Sequence, residues 1–170
     1  MLSLRKIFIP ILFTTLSFST SIHVATTGSD DTGDGSENNP YATIQKGIDM
    51  SLDGDTVLVG PGEYQETVGI NKQVFLVSQN GPNETIIDGS CGYDRCNAIT
   101  SWESDISLNV EGFTITGGTA FSHYDEGWVG GGIGPNFNSW EVDSIRLNQM
   151  IFIGNDGFDI NLTYTGVSFV

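Results

Sequence analysis

Positive charge is scarce in this chain: six Lys and Arg stand against 21 Asp and Glu, a formal charge of −15 over 170 residues. A nucleic-acid-binding surface needs a basic stripe to displace counterions from phosphates, and bases this few and this scattered exclude one. The same field disfavours anionic membranes and polyuronate chains, and it attracts divalent cations. Cysteine is equally rare, with Cys91 and Cys96 alone. No His lies beside them to complete a metal ligand set, so they are expected to pair as a disulfide in an oxidising exterior. With five Pro in the whole chain, no proline-rich linker is present. No apolar run reaches the roughly 20 residues that a bilayer-spanning helix needs.

What is present begins with a leader. Arg5 and Lys6 precede an apolar run from Ile7 to Leu16, followed by small residues. This is the pattern of a secretory signal over residues 1–21, with Ser19 and Ser21 at −3 and −1 of a cut after Ser21. The expectation is therefore a secreted, extracellular or cell-surface protein, with no membrane span once the signal is gone. Without the leader, the 21 acids face only Lys46, Lys72, Arg95 and Arg146, a formal −17.

The remaining chain, 22–170, reads as one domain. Ile44, Ile48 and Leu52 recur at the helical spacing, with Thr43 or Ala42 opening the helix and Asp53-Gly54-Asp55 turning out of it. Beyond it come short runs rich in Val, Ile, Phe and Thr, each closed by Gly, Asn or Asp. They include Thr56 to Val59, Thr67 to Ile70, Gln73 to Ser78, Thr85 to Asp88, Ile106 to Val110, Gly112 to Thr116 and Met150 to Ile153. Two segments read as copies, Val110 to Gly118 aligned with Asn148 to Asp156. Repeated short strands with recurring turns mark a solenoid, in which a coil buries its apolar face only against its neighbours. Taken alone, this pattern also suits an antiparallel sandwich, although two-residue hairpin turns are few.

The stretch from Ile22 to Gly89 carries a resemblance. Its residues are Val24 to Asp30, Asp34 to Asp49 (with Asn39-Pro40-Tyr41-Ala42-Thr43-Ile44 at its centre), Gly54 to Val59 and Pro61-Gly62-Glu63-Tyr64. Ile86-Ile87-Asp88-Gly89 and Gly112-Phe113-Thr114-Ile115 add to it. In these the chain resembles the amino-terminal portion of secreted bacterial proteins of the pectate-lyase-like superfamily. The resemblance implies an all-β fold: a right-handed parallel β-helix, or β-solenoid, with an amino-terminal capping α-helix. Residues 22–55 would form the cap region and 56–170 the coils. Val57, Val59, Phe75, Val77, Ile87, Phe113, Ile115, Ile151 and Ile153 are expected to point inward and stack coil on coil. Asn155 is expected in a turn, its side chain bonding the neighbouring backbone. Val167 to Val170 reads as strand without a polar cap, so the expectation there is a truncated chain, or a partner covering the last coil.

Several residues are candidates for chemistry. Asp30, Asp31, Asp34 and Glu37 crowd one loop, and such oxygen clusters hold Ca²⁺, so calcium is the one cofactor to consider. The EF-hand pattern fails, because Thr32 is third and Tyr41 twelfth from Asp30. Trp102, Tyr124, Trp128 and Trp140 are aromatic candidates for stacking on sugar rings, and the competing role is packing against the coils. His123 is a lone loop His. The family's lyase chemistry needs a Lys, Arg or His base together with a cation beside the uronate. No lyase motif is matched, so no catalytic residue is carried over. The reading is a non-catalytic extracellular module binding a polysaccharide, a cell-surface glycan or another surface. The alternative is the amino-terminal part of a polysaccharide lyase or glycoside-active enzyme whose catalytic coils lie beyond residue 170.

Overall fold

The structure, a computed structural model, describes residues 19–92, 96–101, 107–119, 121–123, 127–129, 131–135, 144–156 and 167–169. The first strand, β1 (Ser21–Val24), is followed by a loop and the helix α1 (Ile44–Met50). The chain then winds. The first coil comprises β2 (Thr56–Val59), β3 (Gly62–Gln65) and β4 (Val68–Ile70), and the second β5 (Phe75–Ser78), β6 (Thr85–Asp88) and β7 (Ile99–Ser101). The third holds β8 (Ser107–Glu111) and β9 (Thr114–Thr116), a hairpin of β10 (Phe121–His123) and β11 (Gly127–Val129), and then β12 (Ile133–Pro135). Next come β13 (Ser144–Asn148), β14 (Ile151–Phe152) and β15 (Val167–Phe169).

Three sheets result, ordered β1-β2-β5-β8-β13-β15, β3-β6-β9-β14 and β4-β7-β12. Every pairing within them is parallel. Successive strands of one coil enter successive sheets, and each pairs with its counterpart one coil later. This is a parallel β-helix. Among the strands of the described residues, the hairpin of β10 against β11 is antiparallel, as are the isolated bridges Ser36–Asn39 and Cys96–Thr119.

The core is a set of columns running through the coils. Val57 faces Leu76, Leu76 faces Val110, and Val110 faces Leu147. A second column runs Tyr64, Ile87, Ile115 and Phe152, and a third Val68, Ile99 and Ile133. All but Phe152 of these are buried, and Phe152 packs against the cluster half-buried. Each buried side chain contributes on the order of 1.5–3 kcal/mol relative to exposure. Asn155 behaves as its sequence position implies: it accepts from Gly118 N–H at 3.1 Å and donates to the Ile115 carbonyl at 3.1 Å, stitching two coils at their corner.

Register corrects several inward assignments. Phe75 is 44% exposed and Val77 half-buried, whereas Leu76 between them is fully buried. The two copied segments pair one residue away from the alignment read above: Asn148 faces Glu111, and Phe152 faces Ile115. Phe152 therefore turns inward, Ile153 is 60% exposed and Ile151 is half-buried. In a strand a slip of one residue exchanges the two faces, which is why both errors invert whole pairs. Gly62–Gln65, not among the runs read as strands, forms strand β3.

At the amino-terminal end α1 closes the first coil. Ile44 and Ile48 are fully buried, but Leu52 lies beyond the helix and is 74% exposed. Gly47 permits the close fit, since a Cβ there would lie 2.7 Å from Val24 Cγ2 and 3.0 Å from Val57 Cγ1. A helix of seven residues is not stable by itself, and side chains hold its ends. Glu66 accepts from Ile44 N–H at 2.8 Å and Gln45 N–H at 2.9 Å, and Thr43 Oγ1 accepts from Lys46 N–H. Asp30 accepts from Ala42 N–H, Thr43 N–H and the Thr43 hydroxyl. The Gln45 amide pairs with both backbone groups of Gly69 in β4, as a neighbouring strand would. Lys72 Nζ donates to the Asp49 and Ser51 carbonyls at the helix exit.

These contacts shift the two carboxyls in opposite directions. Burial pushes Asp30 up, but bonds from Thr43 and Ala42 and the Lys46 charge outweigh it and hold the carboxyl below its ordinary 3.8. At Glu66 burial prevails over the Gln45 and Ile44 N–H groups, with the Asp30 charge adding to it, so its carboxyl lies above the ordinary value.

Two predictions follow from register and cap. Leu76→Ala should cost about 2–5 kcal/mol by chemical denaturation, and Phe75→Ala, one residue away, within about 0.5 kcal/mol. The opposite ranking would refute the register. A carboxyl depressed on folding contributes stability that is complete above its ordinary pKa and is lost as pH falls through the lower folded value. Tm should therefore drop below pH 3.8, with Glu66 opposing the drop, and Asp30→Asn should flatten that acid limb in a scan of Tm against pH.

Candidate functional site

The six-stranded sheet presents a nearly continuous outer face. Because register alternates sides, residues flanking the buried columns stand outward in columns of their own. Phe75 faces Asn109, which faces Arg146, and Val77 faces Glu111, which faces Asn148. These six side chains line a cleft of about 300 Å³ across β5, β8 and β13, with Leu76 and Val110 supplying the floor between them. The cleft offers an exposed aromatic ring and an aliphatic side chain at one end. Two primary amides, one carboxylate and one guanidinium occupy the rest.

The charges are what set this cleft apart from the rest of the surface. Lys46 lies over the Tyr41 ring, 5.8 Å from its centroid, and Lys72 is spent on the helix exit. Arg146 is exposed on the wall of the cleft, and among the described residues no carboxylate pairs with it. Its planar fork is suited to carboxylates and to vicinal oxygen acceptors. Glu111 stands diagonally across the ladder, about 7–8 Å away between backbones. Sequence reading counted Arg146 among the four bases of the chain beyond the leader but did not place it in a site. Nor did it assign Asn109, Glu111 and Asn148, because only register brings them to one face with Phe75.

The residues expected to act sit elsewhere. Asp30 has both oxygens engaged by the Ala42–Thr43 turn, and Asp34 Oδ1 accepts from Ser36 N–H at 2.9 Å. Asp31 and Glu37 are exposed. Among the described residues no three His, Cys, Asp or Glu side chains converge as metal donors. Cys91 and Cys96 form a disulfide with Cα atoms 6.1 Å apart. It lies between β6 and β7, where Cys96 also exchanges backbone bonds with Thr119 of the next coil. Trp102, Tyr124 and Trp140 lie outside the described residues, and Trp128 and His123 belong to the hairpin strands β11 and β10. Among the described residues no helix is long and apolar enough to cross a membrane.

Comparison with known proteins covers part of the chain. Residues 26–79, from the loop before α1 through β5, match a family described as "Protein of unknown function (DUF1565)". A cell surface glycoprotein of Methanothermus fervidus is 33% identical over 85 residues, which cover 46% of this chain and 12% of that protein. The chain thus spans a small part of the length of the curated relative it matches.

Proposed function

We propose that this chain is an extracellular, surface-associated β-helix module that binds a saccharide in the cleft across β5, β8 and β13. The carrying observation is the cleft's composition: the exposed Phe75 ring beside Asn109, Asn148, Glu111 and Arg146 on one rigid sheet face. A pyranose has an apolar face that stacks on an aromatic ring and a rim of hydroxyls that amides, carboxylate and guanidinium can bond. Preformed clefts with an apolar wall and a few fixed polar groups are the common form of small-ligand sites.

Surface association draws on three supports. The leader pattern at residues 1–21 points to export. The disulfide at Cys91 and Cys96 fits an oxidising compartment. The relative in Methanothermus fervidus is named for the cell surface. Binding rather than uronate elimination is favoured by the chain's field: a formal charge of −15 disfavours an acidic polymer lying along the sheet.

A glycan array probed with the purified chain tests the reading. At least one glycan class should be retained, and Phe75→Ala and Arg146→Ala should each weaken its binding about tenfold while leaving Tm unchanged. Failure to retain any glycan, or unaltered affinity in both variants, would end the proposal.

A further inference from the structure

The last turn before β2 holds an unusual acid. Asp55 is 5% exposed and sits where the first coil begins, its carbonyl accepting from Phe75 N–H of the next coil at 3.0 Å. One carboxylate oxygen accepts from Leu52 N–H at 2.8 Å and the other from Thr20 N–H at 2.8 Å. Among the described residues no basic side chain pairs with it. A buried carboxylate with amide donors alone carries an uncompensated charge, and such charges normally find a cation.

The donor on the amino-terminal side is placed to become that cation. Thr20 is exposed, as is Ser19 before it, and its carbonyl accepts from Thr56 N–H at 2.9 Å. Ser21 opens β1 opposite Thr56. A cut after Ser21, as read from the small residues Ser19 and Ser21, would remove the Thr20 donor to Asp55, the Thr20 acceptor for Thr56 and the first ladder residue. Moving the cut two residues upstream preserves all three. It also satisfies the small-residue pattern, with Ser17 at −3 and Ser19 at −1.

We propose that export processing hydrolyses the Ser19–Thr20 bond, and that the Thr20 α-ammonium so created pairs with the buried Asp55 carboxylate. Water adds across the peptide bond: Ser19 leaves with the leader as a carboxylate, and Thr20 gains a protonated amine in place of its amide N–H. The bond already present at 2.8 Å becomes an ion pair. Charge-assisted hydrogen bonds are roughly twice as strong as neutral ones, so removal of the leader itself tightens the seam between β1 and the first coil. The inference concerns maturation and stands or falls independently of what the cleft binds.

The first test is the intact mass and amino-terminal sequence of the exported protein. Thr20 should be the first residue; a chain starting at Ile22, or one retaining the leader, would overturn the cut. The second compares a chain made to begin at Thr20 with one keeping Ser19 ahead of it. The former should melt about 2–4 °C higher, and Asp55→Asn should abolish the difference; equal Tm values would overturn the ion pair. Should Asp55→Asn fail to fold, the Thr20 amine titrated by NMR serves instead. A pKa raised above the ordinary 7.7–8.0 of an α-amine is expected, and an ordinary value would refute the pairing.

Discussion

In-register stacking of parallel strands is the constraint from which the rest of this molecule follows. Each coil is bonded only to the coils before and after it, so an inward side chain must lie over its counterpart one turn earlier. Leu76 over Val57 and Ile115 over Ile87 are fixed by the ladder, not by any preference of those residues for each other. Coils therefore differ in length without harm, provided the extra residues leave at corners. The second coil spends them on the disulfide-bearing loop before β7, and the third on the β10–β11 hairpin before β12. The sheets run on undisturbed beneath both excursions.

A stack has ends, and the amino-terminal one is closed with hydrogen-bonded carboxylates. Asp30, Glu66 and Asp55 together accept from backbone N–H groups of residues 20, 42–45 and 52, which have no strand or helix partner in their own segment. A strongly acidic composition thus has a structural use beyond solubility, because a carboxylate is the strongest acceptor available to an orphan amide. Of the acidic loop at residues 30–37, Asp30 takes part in this closure, while Asp31 and Glu37 stand exposed.

The cleft is a by-product of the same register. A parallel sheet with every second residue buried must present the alternate residues outward in straight columns, at the strand spacing of about 4.8 Å. Phe75, Asn109 and Arg146 occupy one column and Val77, Glu111 and Asn148 the next. Such rows suit extended or ring-shaped ligands, since contacts repeat along the axis, and a rigid sheet holds them without loss of order on binding.

In the sequence alone, it was the resemblance carried by residues 22–89 that selected a parallel β-helix over the antiparallel sandwich the strand pattern also suits. The leader pattern, the α1 periodicity at Ile44 and Ile48, the Thr43 cap, the turn-punctuated strands and the corner role of Asn155 are all local properties, carried by residue type and by spacing within a few positions. The sequence also raised the expectation that Cys91 and Cys96 pair, and the structure holds that disulfide. Which residues of a strand face inward was decided only by tertiary structure. Runs such as Phe75-Leu76-Val77 are apolar on both faces, so alternation gives no signal, and the partner across the ladder breaks the tie. The cleft was invisible for the same reason: its side chains come from strands separated by the disulfide loop and the hairpin, and they become neighbours only when a whole coil has closed.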